Sequence, residues 1–287
     1  WAAACAAAWG GPVPAHPVRI AGQPHRVRGQ PADEAWRALG ERGAEPEAER
    51  LARLARAWRP GGGDGAVALD AGANLGVTVL ALAAAWPGHA ALHAAEPDPE
   101  VAELLRWNLR AAGLDRARVW PLALGATDGE AAFRRELPNR ATSHLFPHDR
   151  PARDWKGETL RVPLRRADTL LAEAGATRLD LLKLDVEGAE EPVLAGAAAA
   201  LERFRPLVLV EFNLFTQMTL ARENPFAVLE RLATLAPHLC WFRDDGAPEA
   251  VTHPDGRLGV LHAIMAGRAG VDDLVLCHDL DWMERWE

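Results

Sequence analysis

The sequence has no tyrosine, only three cysteines, and no apolar run long enough to cross a membrane. The cysteines, Cys5, Cys240 and Cys277, lie far apart and are odd in number. That pattern speaks against a disulfide scaffold and for a reducing, cytoplasmic setting. Clusters of lysine and arginine are missing too. Bases are scattered among acids and the net charge is -8, which argues against a nucleic-acid partner. Residues 1–9 are apolar but short, and no basic flank marks them as a signal peptide. There is no internal repeat and no coiled-coil heptad. Trp is the first residue, so the sequence is read as starting inside a longer chain.

What is present fits a folded domain. The chain has 287 residues, 49% hydrophobic and 25% charged, enough for one large α/β domain plus an appendage. Residues 1–60 read as a helical appendage. In it a proline-rich irregular stretch (11–30) precedes an amphipathic helix at 45–58, whose Leu51, Leu54, Ala55 and Trp58 recur at helical spacing. The glycines of 61–65 read as a linker. From residue 66 strands alternate with helices: strands at 67–70, 90–95, 118–124, 179–184, 207–212, 239–242 and 273–277, and helices at 74–86, 99–112, 189–203 and 225–236. The alternation predicts a mainly parallel sheet with helices on both faces. Residues 126–165 interrupt it and read as an inserted hairpin or a loop over the site.

The run Val67-Ala-Leu-Asp70-Ala-Gly72-Ala-Asn74-Leu-Gly76 carries the most chemistry. An apolar strand ends in an acid, and a glycine-spaced turn opens into a helix, as at a nucleotide-binding βα turn. The G-x-G-x-x-G order of dinucleotide enzymes is absent, which disfavours an NAD-dependent oxidoreductase. Asp70 would repel a pyrophosphate but suits a cationic nucleoside such as S-adenosylmethionine (SAM), whose ammonium it could meet directly or through water. Gly72 and Gly76 let the backbone pass close to a ligand. Asn74 could cap the helix or bind the amino-acid moiety. Glu96, followed by Pro97 and Asp98, ends the second strand, where an acid reaches ribose hydroxyls. Asn108, on the next helix, reads as solvated. In Asp180-Leu-Leu-Lys183-Leu-Asp185-Val-Glu187-Gly188-Ala-Glu190, three acids surround a helix start and suit either a cation or base role, or plain capping.

These segments, with Val208-Leu-Val-Glu211, resemble the FkbM family of SAM-dependent methyltransferases over residues 66–215. The resemblance implies the class I methyltransferase fold, a Rossmann-like seven-stranded sheet with an antiparallel last strand, over 66–287. It implies O-methylation of a hydroxyl on a small molecule, a sugar or natural-product scaffold. Asp70, Gly72, Ala73, Asn74, Gly76, Glu96 and Pro97 fall on its cofactor positions. Asp185, Glu187 and Glu190 fall on its second signature, and Glu211 on its acid after the next strand. Catalytic candidates are then Asp185, Glu211 and His144, the last in a polar run, Asn139–His144, suited to accepting a proton near neutral pH. His144 and His148 with Asp149 hint at a metal, but without a third placed ligand no metal is expected. A non-catalytic SAM-binding module of a larger protein is the other rival. Expected partners are a small-molecule substrate and a second copy joined through the N-terminal helices, with no nucleic acid.

Overall fold

The computed structural model describes residues 13–137, 139–145, 157–267 and 270–286. It opens with an antiparallel hairpin where the sequence suggested irregular chain: β1 (Ala15–Ile20) and β2 (Gln23–Arg28), joined through Ala21 and Gly22. The prolines that argued against strands, Pro17 and Pro24, are tolerated because this sheet has only two strands among the described residues, with the outer side of β1 bridged at Arg19 alone. Two helices follow, α1 (Glu34–Arg42) and α2 (Pro46–Trp58). Pro46 sits in the first turn of α2, where its missing N–H costs nothing. The helix buries Leu51, Leu54, Ala55 and Trp58, as its spacing predicts.

The appendage is thus part hairpin and part helix, and its core is continuous with that of the main sheet. The Trp58 indole N–H donates to the Asp180 carbonyl (2.8 Å), and the Trp86 indole N–H to the Ala55 carbonyl (2.8 Å). Asn108 is buried rather than solvated. Its amide accepts from the Arg28 N–H and donates to the Arg28 and Leu75 carbonyls, clamping β2 to the helix after the second main-sheet strand. Residues 61–65 form a turn fastened to Gly88 by backbone hydrogen bonds rather than a free linker.

The main chain then runs β3 (Val67–Ala71), α3 (Val77–Ala85), β4 (Ala91–Ala95), α4 (Pro99–Ala111) and β5 (Arg118–Trp120). Pro121 has no N–H to give and bends the expected third strand. Its second half, β6 (Ala123–Leu124), joins a separate four-stranded sheet with β7 (Gly129–Glu136), β8 (His144–Leu145) and β9 (Gly157–Arg165). The 126–165 insertion is therefore a small sheet in its own right. After α5 (Ala167–Glu173) and β10 (Leu181–Leu184) comes the expected helix at 189–203, broken into α6 (Glu190–Gly196) and α7 (Ala198–Phe204). Gly196 lies where a Cβ would sit 2.0 Å from the Gly125 carbonyl oxygen, so the break coincides with a close backbone crossing.

The remaining elements are β11 (Leu207–Asn213), two helical turns (Leu214–Thr216, Gln217–Ala221), α8 (Pro225–Leu232), β12 (His238–Phe242), β13 (Pro248–Ala250), α9 (Pro254–Gly267), β14 (Val271–Cys277) and α10 (Asp281–Glu284). The large sheet has the order β13-β12-β14-β11-β10-β3-β4-β5. Strands β5, β4, β3, β10 and β11 are parallel, and β14 runs antiparallel between β11 and β12. This is the class I methyltransferase arrangement, with one correction: the short β13 adds an eighth strand at the edge. Register aligns Asp70 with Lys183 and with Ala94, so the carboxyl ends of β3, β4, β10 and β11 meet on one side of the molecule. No helix among the described residues is long and apolar enough to cross a membrane.

Candidate functional site

At those strand ends lies a cavity of about 500 Å³. Gly72, Ala73, Asn74, Glu96 and Pro97 line it, as do Asp185, Glu211 and His144. Asp70 and Gly76 do not. Asp70 is fully buried behind the turn, where the Thr78 hydroxyl donates to it, and Thr78 is the residue that reaches the cavity. Burial pushes the Asp70 carboxyl up, against the pull of Lys183 and Thr78. Gly76 caps α3 in a left-handed conformation (φ 89°), leaving Asn74 out of the capping role. Instead Asn74 itself turns left-handed (φ 45°), and its side-chain oxygen is buried at the cavity wall without a hydrogen-bond partner.

Gly72 explains how the turn reaches the cavity. At φ 83° a Cβ there would stand 1.8 Å from the Asp185 carbonyl oxygen. The β3 turn and the end of β10 touch backbone to backbone, and the Asp185 N–H donates to the Ala71 carbonyl (3.1 Å). Glu96 closes the other side. Its two oxygens accept from the Asn74 N–H (3.0 Å) and the Asp98 N–H (2.8 Å), so the acid holds the first turn and the start of α4 together. Burial pushes its carboxyl up to about 8. Asp98 caps α4 and grips Arg135 (2.7 Å) and Arg140 (2.8 Å), which fastens the inserted sheet over the cavity.

The reacting end is a charge cluster centred on a buried cation, which the motif reading passed over. Lys183 Nζ lies 3.1 Å from Asp185 Oδ2 and 3.4 Å from Glu47 Oε1. Burial alone would lower the Lys183 ammonium, but Asp185, Glu47, Asp70 and Glu211 outweigh it and hold the group well above the ordinary lysine range. A lysine inside an apolar strand is a legible sign of buried acid partners. Glu47, on α2, carried no such sign, because the fold alone brings it there.

Asp185, Glu187 and Glu211 each offer an oxygen, all within 4.8 Å of one another, the one such grouping among the described residues. They could hold a cation. Burial pushes the Glu187 carboxyl up to about 8 and, with Asp185 and Glu187 as neighbours, puts Glu211 well above the usual range. Because Glu187 binds its proton more tightly folded than unfolded, stability falls as pH rises from the ordinary carboxylate range through 8. Glu187→Gln removes that titration. Denaturant unfolding is expected to show the variant gaining stability on the wild type across this window, and a constant difference would contradict the assignment.

Glu190 has a structural part. It is buried and accepts from the Gly188 N–H (3.1 Å) and the Gln217 side chain (2.8 Å), tying the loop before α6 to the helical turn after β11. His144 is buried at the cavity wall. Its Nδ1 meets the Thr142 carbonyl (3.0 Å), so Nδ1 is the donor and Nε2 the basic nitrogen, while burial pushes the ring pKa down. His148 and Asp149 lie outside the described residues.

The methyltransferase FkbM domain matches residues 70–232. The chain belongs to the FkbM methyltransferase family. The 2-O-methyltransferase NoeI of Sinorhizobium fredii is 30% identical, over 48% of this chain and 60% of that protein. AMB antimetabolite synthetase AmbE of Pseudomonas aeruginosa is 32% identical, over 50% of this chain and 8% of that protein. This FkbM chain therefore spans less than two thirds of either relative. A solved FkbM methyltransferase from Methylobacillus flagellatus superposes with a TM-score of 0.46 at 15% identity, over 78% of this chain and 47% of that one. The walls contributed by α1, α2 and β14 lie outside the matched FkbM segment.

Proposed function

We propose that this FkbM protein is a SAM-dependent O-methyltransferase acting on a hydroxyl of a small molecule. The observation that carries the reading is the juxtaposition, in one cavity, of a βα turn closed by Glu96 with carboxylates of raised proton affinity at the ends of β10 and β11. The residues fit the cofactor. The unpartnered Asn74 oxygen suits an ammonium or hydroxyl donor, and Glu96 retains lone pairs for the ribose, while Gly72 lets the turn close on Asp185. SAM supplies an activated methyl when bound. An acceptor hydroxyl methylated there would have to give up its proton to a base of this chain. Glu211, once ionised, suits that role by position and by its raised proton affinity, with Asp185 paired to Lys183 (3.1 Å) beside it. Alignment of the two reactants does the rest.

Above pH 8, where Glu96 is ionised, Glu96→Ala is expected to weaken S-adenosylhomocysteine binding by about 1.5–3 kcal/mol in calorimetry, the scale of hydrogen bonds to a charged group. In the wild type the affinity should rise with pH and level off above 8, since the ionised carboxylate is the better acceptor and its proton is held up to about 8. A pH-independent affinity would remove Glu96 from the ribose. Methyl transfer from labelled SAM to a panel of hydroxyl compounds tests the reaction itself, and Glu211→Gln should slow it without changing cofactor affinity. The small place the matched segment occupies in AmbE supports a second reading, a SAM-binding module within a larger protein. Binding without turnover against every acceptor would favour it.

A further inference from the structure

A second cleft, of about 850 Å³, opens between α2, the loop after β12, the start of β14 and Trp286. It shares Glu47 and Glu211 with the first cavity, so the two spaces meet at the proposed base. We infer that this second cleft is the acceptor subsite, and that it binds the hydroxyl-bearing part of the acceptor by a mixed set of donors and acceptors. The inference rests on the O-methyltransferase reading and adds where, and by which groups, the acceptor is held.

Four residues lining the cleft carry buried polar atoms with no hydrogen-bond partner: Arg53 Nε and Trp286 Nε1, both donors, and Glu211 Oε2 and Glu47 Oε1, both acceptors, the last 3.4 Å from the Lys183 ammonium. Buried groups of this kind are expected to be satisfied, so together they describe a ligand. A bare anion has no hydrogen to give the acceptor atoms, and an ammonium has no acceptor for the two donors. Hydroxyl groups donate and accept at once. The other charges support a neutral ligand. Of the four arginines lining the cleft, Arg50 is held by Asp272 (3.1 Å) and Asp273 (3.3 Å), and Arg243 by Asp245 (2.9 Å), while six acids share the walls with Arg53 and Arg56, so the cleft is not an anion trap. Arg53 is itself braced over the Trp286 ring, its guanidinium carbon 4.2 Å from the centroid, which fixes both donors relative to each other.

The test is saturation-transfer NMR on the protein saturated with S-adenosylhomocysteine, with methyl β-D-glucopyranoside as the probe and cyclohexanol as the single-hydroxyl control. The glycoside should receive saturation and cyclohexanol should not. Arg53→Ala, and Trp286→Phe, which keeps the ring and removes only the N–H, should each weaken glycoside binding about fivefold, with the S-adenosylhomocysteine affinity of both variants unchanged. Cofactor binding with no transfer to the glycoside, or transfer that survives both variants, overturns the subsite. So does displacement of the glycoside by inorganic phosphate. Failure of the wild type to bind S-adenosylhomocysteine would instead strike the O-methyltransferase reading.

Discussion

Lys183→Met should lower the unfolding free energy near neutral pH by about 3–5 kcal/mol, the cost of leaving a buried charge without its partner. The lysine is 2% exposed and stands among Asp70, Asp185, Glu47 and Glu211. Methionine fills similar space, so the loss is electrostatic and has a signature in pH. Without the ammonium the folded-state pKa values of Asp70, Glu47 and Glu211 move further above their unfolded values. The native variant then binds more protons than its unfolded chain, and its stability rises as pH falls. The wild-type lysine stays charged across this range, because its pKa is held above the ordinary value. Urea unfolding at a series of pH values should therefore show a deficit that is full in mild alkali and shrinks toward acid. A deficit independent of pH would mean that Lys183 contributes by packing alone.

Gly72→Ala should be at least as damaging, for a steric reason. The new Cβ would lie 1.8 Å from the Asp185 carbonyl oxygen and 2.9 Å from its carbon, with backbone on both sides of the collision. No rotamer change relieves it, so the β3 turn and the end of β10 must part. The positive φ of 83° adds strain of its own. We expect a loss of about 3 kcal/mol or more and no measurable S-adenosylhomocysteine binding. Gly113→Ala is the matched control. Its φ is 79° with nothing within 4 Å of the added carbon, so it should cost only about 1–2 kcal/mol and leave binding intact. Equal behaviour of the two variants would show that backbone conformation, and not the crossing at Asp185, makes Gly72 necessary.

The parallel sheet and its ligand edge were legible because their signals are local. Apolar runs such as residues 67–69 and 181–184 end in acids and glycines, and pairing in register then aligns those ends. Asp70 was legible as an acid at a strand end but not as one facing inward, since that depends on Thr78 standing in front of it. Asn108 was misread for a similar reason. A helical asparagine reveals nothing of the β2 backbone 80 residues earlier that it satisfies. The hairpin at 15–28 was hidden by prolines, which exclude central strands but not free edges. Glu47 and the second cleft were invisible because they exist only where α2, β12 and β14 converge. Local pattern reports elements and turns, and sites assembled from distant elements leave no local trace.

The tie between Trp58 and the Asp180 carbonyl spans 122 residues. It gives the molecule a built-in delay. During synthesis the segment carrying Leu51, Leu54 and Trp58 emerges well before the strand it must pack against, by roughly 6–25 s at usual elongation rates. Through that interval its apolar face can lean on α3, tied to it through Trp86 and Ala55, but not yet on the sheet that completes its core. A segment made before the main sheet is thus among the last to be finished. Its vulnerability to proteases and to self-association is expected to belong to the nascent chain rather than to the completed fold.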